Sequence, residues 1–196
     1  KLKSFLRVNF ISRYINIFER SFFMSKKIVI DTETTGLNAK TDELLQVSII
    51  DTDGNVLFDS YFKPTRHSEW KEAENVNGIS PEMVANSPTI DEKIAVINDI
   101  LHSADEVIGY NTGFDVGFLE SNGATFKAEY KVVDVMKLFA PVYGVWSEER
   151  NDYKWQKLTT AAEYYGYDWS KRAETAHNSL GDCFATLFVY ENINRL

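Results

Sequence analysis

Two carboxylates stand one residue apart in the stretch VIDTETTGL, residues 29–37. Polar and apolar side chains alternate here, which predicts a β-strand over residues 28–35 with Val29, Asp31 and Glu33 on one face. Two ionised carboxylates this close repel each other unless a cation lies between them. Asp31 and Glu33 are therefore candidate ligands of a divalent metal ion, because hard divalent cations prefer oxygen ligands.

Two later segments carry further candidate groups. YNTGFDVGFL contains Asp115, four residues after Asn111, and AHNSLGDCFAT contains His177, five residues before Asp182. Taken alone, Asp115 is explained as an acidic residue in the first turn of a helix, and an isolated histidine is usually a packed or surface residue. Asp182 is less ordinary, since it falls among small and apolar neighbours where a bare carboxylate needs a partner.

The elements that must position these groups follow from hydrophobic periodicity and from turn and capping signals. Thr89 and Glu92 match a capping box that would open a helix, and Ser80-Pro81 marks another helix start. The order is β-β-β-α-β-α-β-α-α, which predicts an α/β fold: a mixed sheet that begins with three antiparallel strands and is flanked by helices. We predict strands at 28–35, 44–50, 56–62 and 106–110, a strand that runs into a helix over 130–135, a hairpin turn at 51–55, and helices including 114–121, 157–166 and 179–193.

Composition limits the classes of protein that fit. A chain of 196 residues with 44% apolar residues suits one globular domain. The single Cys183 permits neither an internal disulfide nor a cysteine-rich zinc site, so we expect a reducing, cytoplasmic setting and a metal held by oxygen or histidine. A net charge of −8 is unusual for a nucleic-acid partner, but two bound divalent cations would halve it.

The opening segment, residues 1–23, differs from the rest because it has five basic residues and one acid. It fits an amphipathic targeting or membrane-surface helix, a leader ahead of a natural start at MSKK, or an extra helix packed on the domain. We favour the leader and take 24–196 as a single domain. No run approaches the roughly 18 apolar residues of a spanning helix, so we expect no stable membrane partner. The oligomeric state stays open.

Together the three segments resemble an ordered set of motifs. DTETTGL, NTGFDVGFL and HNSLGDC are similar to the three motifs of the DEDDh, or DnaQ-like, 3′–5′ exonucleases, and the resemblance spans residues 26–193. It implies an RNase H-like five-stranded sheet. It also implies that Asp31, Glu33, Asp115 and Asp182 hold two Mg²⁺ or Mn²⁺ ions, with His177 as general base. Independent chemistry agrees, because imidazole exchanges protons near neutral pH and paired metals promote phosphodiester hydrolysis.

The resemblance also implies contacts with the substrate, which would be the 3′ end of DNA or RNA. In the family, the backbone at the positions of Thr34 and Thr35 meets the terminal 3′-hydroxyl, and the side chain at Leu37 wedges under the last base. Further candidate contacts come from the turn after the strand and from the second motif: Gly36, Asn111 and Phe114.

Some of these positions have simpler explanations or depart from the family pattern. For Phe114, and for Phe118 one helical turn later, core packing is the favoured alternative. Asn77 in VNGIS stands where histidine is common, so we assign it no chemistry. Asp134 matches a recurring acidic position, yet helix capping accounts for it.

Alternative functions share part of this reasoning. An exoribonuclease would keep the chemistry and change the polymer, although DTETTGL resembles the DNA-proofreading branch more closely. A non-catalytic nucleic-acid-binding module is disfavoured because all five catalytic positions carry the required residue types. The family includes the proofreading subunit of the bacterial replicative polymerase, so polymerase association is a further option. It would lack a C-terminal tether, because the chain ends at Leu196, three residues past the last predicted helix.

Overall fold

A computed structural model describes residues 25–171 and 177–195 of the chain. The interpretations of residues 1–23 lie outside this range. The strands are β1 (Lys27–Thr34), β2 (Leu44–Asp51), β3 (Val56–Tyr61), β4 (Glu106–Gly109), β5 (Lys131–Asp134), β6 (Trp146–Ser147) and β7 (Asp152–Tyr153). The helices are α1 (Lys71–Asn77), α2 (Pro81–Val84), α3 (Ile94–Ser103), α4 (Thr112–Ser121), α5 (Val135–Tyr143), α6 (Leu158–Tyr164) and α7 (Ser179–Ile193).

The main sheet has five strands in the order β3-β2-β1-β4-β5. β1 pairs antiparallel with β2, and β2 with β3, whereas β4 pairs parallel with β1 and with β5. The predicted mixed sheet, opened by three antiparallel strands and flanked by helices, is confirmed as an RNase H-like fold. Because β1, β4 and β5 run in the same direction, their carboxyl ends lie at one edge of the sheet.

Hydrophobic cores cover both faces of the sheet, as the alternation in β1 predicts. On one face Val29 packs with α7, where Cys183 and Ala185 are fully buried. On the opposite face Ile28 and Ile30 pack with apolar side chains of α3 and α4. Asp31 and Glu33 continue the Val29 face past the apolar core, so the strand carries them to the start of α7.

The capping box of Thr89 and Glu92 forms, but it caps a different element from the one predicted. Both of its hydrogen bonds are present around a short 3₁₀ turn, Ile90–Glu92. The helix α3 begins only at Ile94, because the backbone of Lys93 has φ −120° and leaves the helical region. The helix α3 buries Ile97 and Leu101.

Two elements lack a sequence prediction. The helix α1 contains no buried residue, so no apolar stripe marks it. The β6–β7 hairpin has two residues per strand, too few for a pattern of period two. Within the two described ranges, no helix has the length and apolar character needed to cross a membrane.

Candidate active site

Three carboxylates from two separate elements meet at the end of β1. One oxygen from each of Asp31, Glu33 and Asp182 lies within 4.8 Å of the other two. The period of the strand aligns Asp31 with Glu33, and Asp182 lies in the first turn of α7, where a negative charge is favoured by the helix dipole.

Polar contacts with β2 fix the start of α7 against the sheet. The hydroxyls of Ser48 and Ser179 lie 2.5 Å apart, and the backbone N–H of Ser179 donates to Gln46 Oε1 at 3.3 Å. The side chain of Asn178 caps the helix by accepting from the N–H of Gly181. Within the helix, Cys183 Sγ donates to the carbonyl oxygen of Ser48. Asp182 is therefore held on a rigid element rather than on a loose turn.

The fourth predicted ligand, Asp115, is anchored beside the cluster. Its Oδ1 accepts from the backbone N–H of Thr32 at 2.9 Å and from the hydroxyl of Thr32 at 2.8 Å. The last β1–β4 pair is Val29 with Ile108, so Thr32 lies where β4 has already ended and α4 has begun. Asp115 is 3% exposed and interacts electrostatically with Asp31.

The pKa values of all four carboxyl groups are raised. Burial, followed by the charges of Asp115, Asp182 and Glu33, raises the pKa of Asp31 well above its usual value. Burial and the charge of Asp182 raise the pKa of Glu33 to about 8, and burial raises the pKa of Asp115 and of Asp182 to about 7. Burying like charges together is costly, so the metal-free site holds protons that a cation would displace.

The donor set fits a hard divalent cation. Asp182 Oδ1 is buried and accepts no hydrogen bond from the described residues, although a buried carboxylate oxygen ordinarily finds a donor. It belongs to the same carboxyl group that meets Asp31 and Glu33. A cation would satisfy this oxygen and offset the mutual repulsion of the carboxylates.

His177 stands immediately before the helix cap of α7. Its backbone has φ 63°, a left-handed conformation that is uncommon for a residue other than glycine, and its side chain is exposed. The backbone N–H of His177 lowers the pKa of Asp182, partly opposing the effect of burial. The imidazole lies outside the group formed by Asp31, Glu33 and Asp182.

A groove of about 700 Å³ opens beside Glu33. Its wall includes five of the six predicted substrate contacts, namely Thr34, Thr35, Gly36, Leu37 and Phe114. Leu37 is 87% exposed, so its side chain projects freely. Phe114 lies in the wall while packing on Phe118, which is buried in the core as predicted. Asn111 is not in the wall; its N–H donates to Asp134, the predicted cap of α5.

The loop that carries Leu37 is shaped by a register shift and by a glycine. The pairing of β1 with β2 shifts between Glu33 and Thr34, and such a bulge redirects the chain. The side chain of Asp42 then accepts from the N–H of Asn38 and lies so close to Gly36 that a Cβ there would overlap its carboxylate. Gly36 is therefore required for this close approach.

Asn77 also lines the groove, although the sequence analysis assigned it no role. Its side-chain amide donates to the carbonyl oxygen of Thr34 at 3.3 Å, and a hydrogen bond from Asn77 lowers the pKa of Glu33. Its neighbour Val76 also lies in the wall and is 61% exposed. The position of VNGIS in the family pattern could have indicated this contact. The asparagine at a position where histidine is common hid it.

Comparison with known proteins identifies the class to which this fold and carboxylate cluster belong. The model of the RNase_T exonuclease family matches residues 28–190. The chain belongs to this family, and it is an exonuclease domain.

Its relatives include polymerase subunits. It is 30% identical over 185 residues to DNA polymerase III subunit epsilon of Salmonella typhimurium, covering 85% of this chain and 70% of the relative. It is 29% identical over 179 residues to the PolC-type DNA polymerase III of Clostridium perfringens, covering 88% of this chain but 11% of that polymerase. The chain thus spans a small part of the PolC-type relatives.

Solved structures show the same fold. Escherichia coli exonuclease I in complex with an oligonucleotide matches with a TM-score of 0.71 at 19% identity, over 88% of this chain and 41% of that one. Exonuclease X in complex with 5′-overhanging duplex DNA matches with a TM-score of 0.64 at 18% identity, over 86% and 91% of the two chains.

Proposed function

We propose that this protein is a metal-dependent 3′–5′ exonuclease that hydrolyses phosphodiester bonds at single-stranded or frayed DNA ends and releases nucleoside 5′-monophosphates. The observation that carries the proposal is the meeting of Asp31, Glu33 and Asp182 within 4.8 Å, beside an open groove, in a chain of an exonuclease family.

Asp31, Glu33, Asp115 and Asp182 would hold two Mg²⁺ or Mn²⁺ ions. Bound there, the ions would supply Lewis-acid stabilisation of the charge that develops during phosphodiester hydrolysis. The chain's own contribution is to keep the four carboxylates in place: Thr32 fixes Asp115 through two hydrogen bonds, and α7 fixes Asp182.

His177 is proposed as the general base. Imidazole is the side chain best suited to accept a proton near neutral pH, and an exposed ring can pass that proton on to solvent. The position of His177, five residues before Asp182 and next to the cap of α7, keeps it at the same end of the helix as the carboxylates.

The groove is proposed to receive the terminal nucleotide. Leu37 and Val76 offer exposed apolar surface for a base, and the backbone at Thr34 and Thr35 offers polar groups for the terminal sugar. The groove is open and adjoins Glu33, so a single-stranded end can enter it whereas a paired end must first fray. Few phosphates need to be held, which is compatible with a net charge of −8.

A labelled single-stranded oligonucleotide tests the proposal. We expect degradation with Mg²⁺ or Mn²⁺, none with EDTA, and loss of activity in Asp31→Asn. The matched control is Asp53→Asn, which removes an exposed carboxylate from the β2–β3 turn. A folded wild-type protein that leaves matched DNA and RNA strands intact with both metals would refute the proposal. Faster cleavage of RNA would instead favour an exoribonuclease.

A further inference from the structure

The β6–β7 hairpin (residues 145–155) carries exposed aromatic rings together with cations. Trp155 is 47% exposed. The guanidinium of Arg150 lies 4.9 Å from the centre of its ring, and Lys137 Nζ of α5 lies 6.0 Å from it. Arg150 has no carboxylate partner among the described residues. We call Trp155, Arg150 and Lys137 the tryptophan cluster.

A chain of contacts joins the tryptophan cluster to the carboxylate site. Lys137 Nζ lies 3.3 Å from Asp134 Oδ2, and Asp134 Oδ1 accepts from the backbone N–H of Asn111. Asn111 is the N-cap of α4, the helix that carries Asp115. The end of β5 lies at the same edge of the sheet as Asp115, about two strand spacings, or roughly 10 Å, from the end of β1. The tryptophan cluster adjoins the end of β5 through Lys137.

A second contact fixes the hairpin at this edge. Tyr110, directly after β4, donates its hydroxyl to the carbonyl oxygen of Gln156 at 2.9 Å. The backbone next to Trp155 is therefore held in place at the end of β4.

The chemistry of the tryptophan cluster suits a single nucleic-acid strand. An indole face stacks on any base, a guanidinium both stacks on bases and binds phosphate, and an ammonium binds phosphate. The local charge is less negative than that of the whole chain: the segment 134–157 contains four basic and four acidic residues, whereas the net charge of the chain is −8. A strand of alternating bases and phosphates is complementary to alternating aromatic and cationic groups.

We propose that Trp155, Arg150 and Lys137 form a second subsite, which binds the part of a DNA single strand that lies upstream of the 3′ end. This inference rests on the proposed function, since it takes the 3′ end to lie at the carboxylates. It assigns the hairpin a role in gripping long substrates and none in bond cleavage.

Two substrates of different length test the subsite. The p-nitrophenyl ester of thymidine 5′-monophosphate reports on the carboxylate site alone, whereas a single-stranded DNA dodecamer also reaches the hairpin. We expect Trp155→Ala to raise KM for the dodecamer on the order of 5- to 100-fold relative to its effect on the ester, the range typical of losing one base stack. Trp155→Phe, which keeps an aromatic face, should restore most of the affinity.

The salt dependence of KM tests the contribution of Arg150. Arg150→Gln should reduce the slope of log KM against log salt concentration for the dodecamer by about 0.7, the value for one phosphate contact with a single strand. Lys131→Gln is the matched control, because Lys131 is an exposed lysine at the opposite end of β5. It should leave the slope unchanged.

The outcomes separate this inference from the proposed function. If the wild type cleaves both substrates and Trp155→Ala matches it on both, or if Trp155→Ala impairs both equally, the subsite is refuted. If the wild type cleaves neither, the proposed function fails. The subsite is then judged by dodecamer binding, measured by fluorescence anisotropy: weaker binding by Trp155→Ala than by Trp155→Phe supports it, and equal binding refutes it.

Discussion

Replacing Asp182 by asparagine should stabilise the metal-free protein at alkaline pH and abolish its stabilisation by metal. Burial raises the pKa of Asp182 from 3.8 to about 7. Between these values the folded state keeps a proton that the unfolded state has released. The contribution of this group to stability is therefore full below about pH 4 and falls as the pH rises to about 7.

The magnitude follows from the size of the shift. Three pKa units at about 1.4 kcal/mol each give an upper limit of about 4 kcal/mol. Asp182 is only partly buried and shares its protons with Asp31 and Glu33, so we expect about 2 kcal/mol. An asparagine amide can donate to those two carboxylates and carries no charge, so the penalty disappears.

Urea unfolding in EDTA near pH 4 and pH 8 measures this effect. Asp182→Asn should gain about 2 kcal/mol over the wild type at the higher pH and little at the lower one. Mn²⁺ at about a hundred times its dissociation constant should then stabilise the wild type by about 3 kcal/mol and the variant far less. A variant with the same stability as the wild type at both pH values would refute the electrostatic reasoning, and Asp53→Asn controls for the loss of a carboxylate elsewhere.

Two more predictions concern the loop beside the groove. Burial raises the pKa of Glu43, but hydrogen bonds from the backbone and side chains of residues 65–67 outweigh it and lower the pKa to about 2. This stabilisation is present above about pH 4 and is lost as the pH falls through about 2, so Glu43→Gln should cost about 1–3 kcal/mol at neutral pH in urea unfolding and much less near pH 2. Gly36→Ala would overlap the carboxylate of Asp42 and should raise KM for single-stranded DNA roughly tenfold with little change in kcat. An unchanged KM would show that this close approach does not shape the groove.

Much of the fold could be predicted because local signals agree with the tertiary structure. The last helix, predicted at 179–193, is observed as Ser179–Ile193, since Asn178 caps it and apolar side chains fill it. The alternation in β1 correctly separated the face of Val29 from that of Ile28 and Ile30. Elements without such signals escaped prediction, as α1 did, because a helix with no buried face leaves no periodicity.

Part of the candidate site could likewise be predicted from the sequence, and part could not. The ordered motifs predicted the meeting of Asp31, Glu33 and Asp182, because strand geometry and a capped helix decide where those side chains lie. The contacts of Asn77 depend instead on how α1 packs against the end of β1, which the sequence pattern does not record. The link from Asp134 to Asn111 also joins residues far apart in sequence, through the parallel pairing of β4 with β5.

The central claim is that the carboxylates at the end of β1 direct hydrolysis from the 3′ end. One DNA single strand labelled at its 5′ end, and the same strand labelled at its 3′ end, would test this with Mn²⁺ present. We predict a ladder that shortens gradually from the 5′-labelled strand and immediate release of a labelled mononucleotide from the 3′-labelled one, both absent in Asp31→Asn. Immediate release of a mononucleotide from the 5′-labelled strand, cuts within the strand, or full activity in Asp31→Asn would contradict the account.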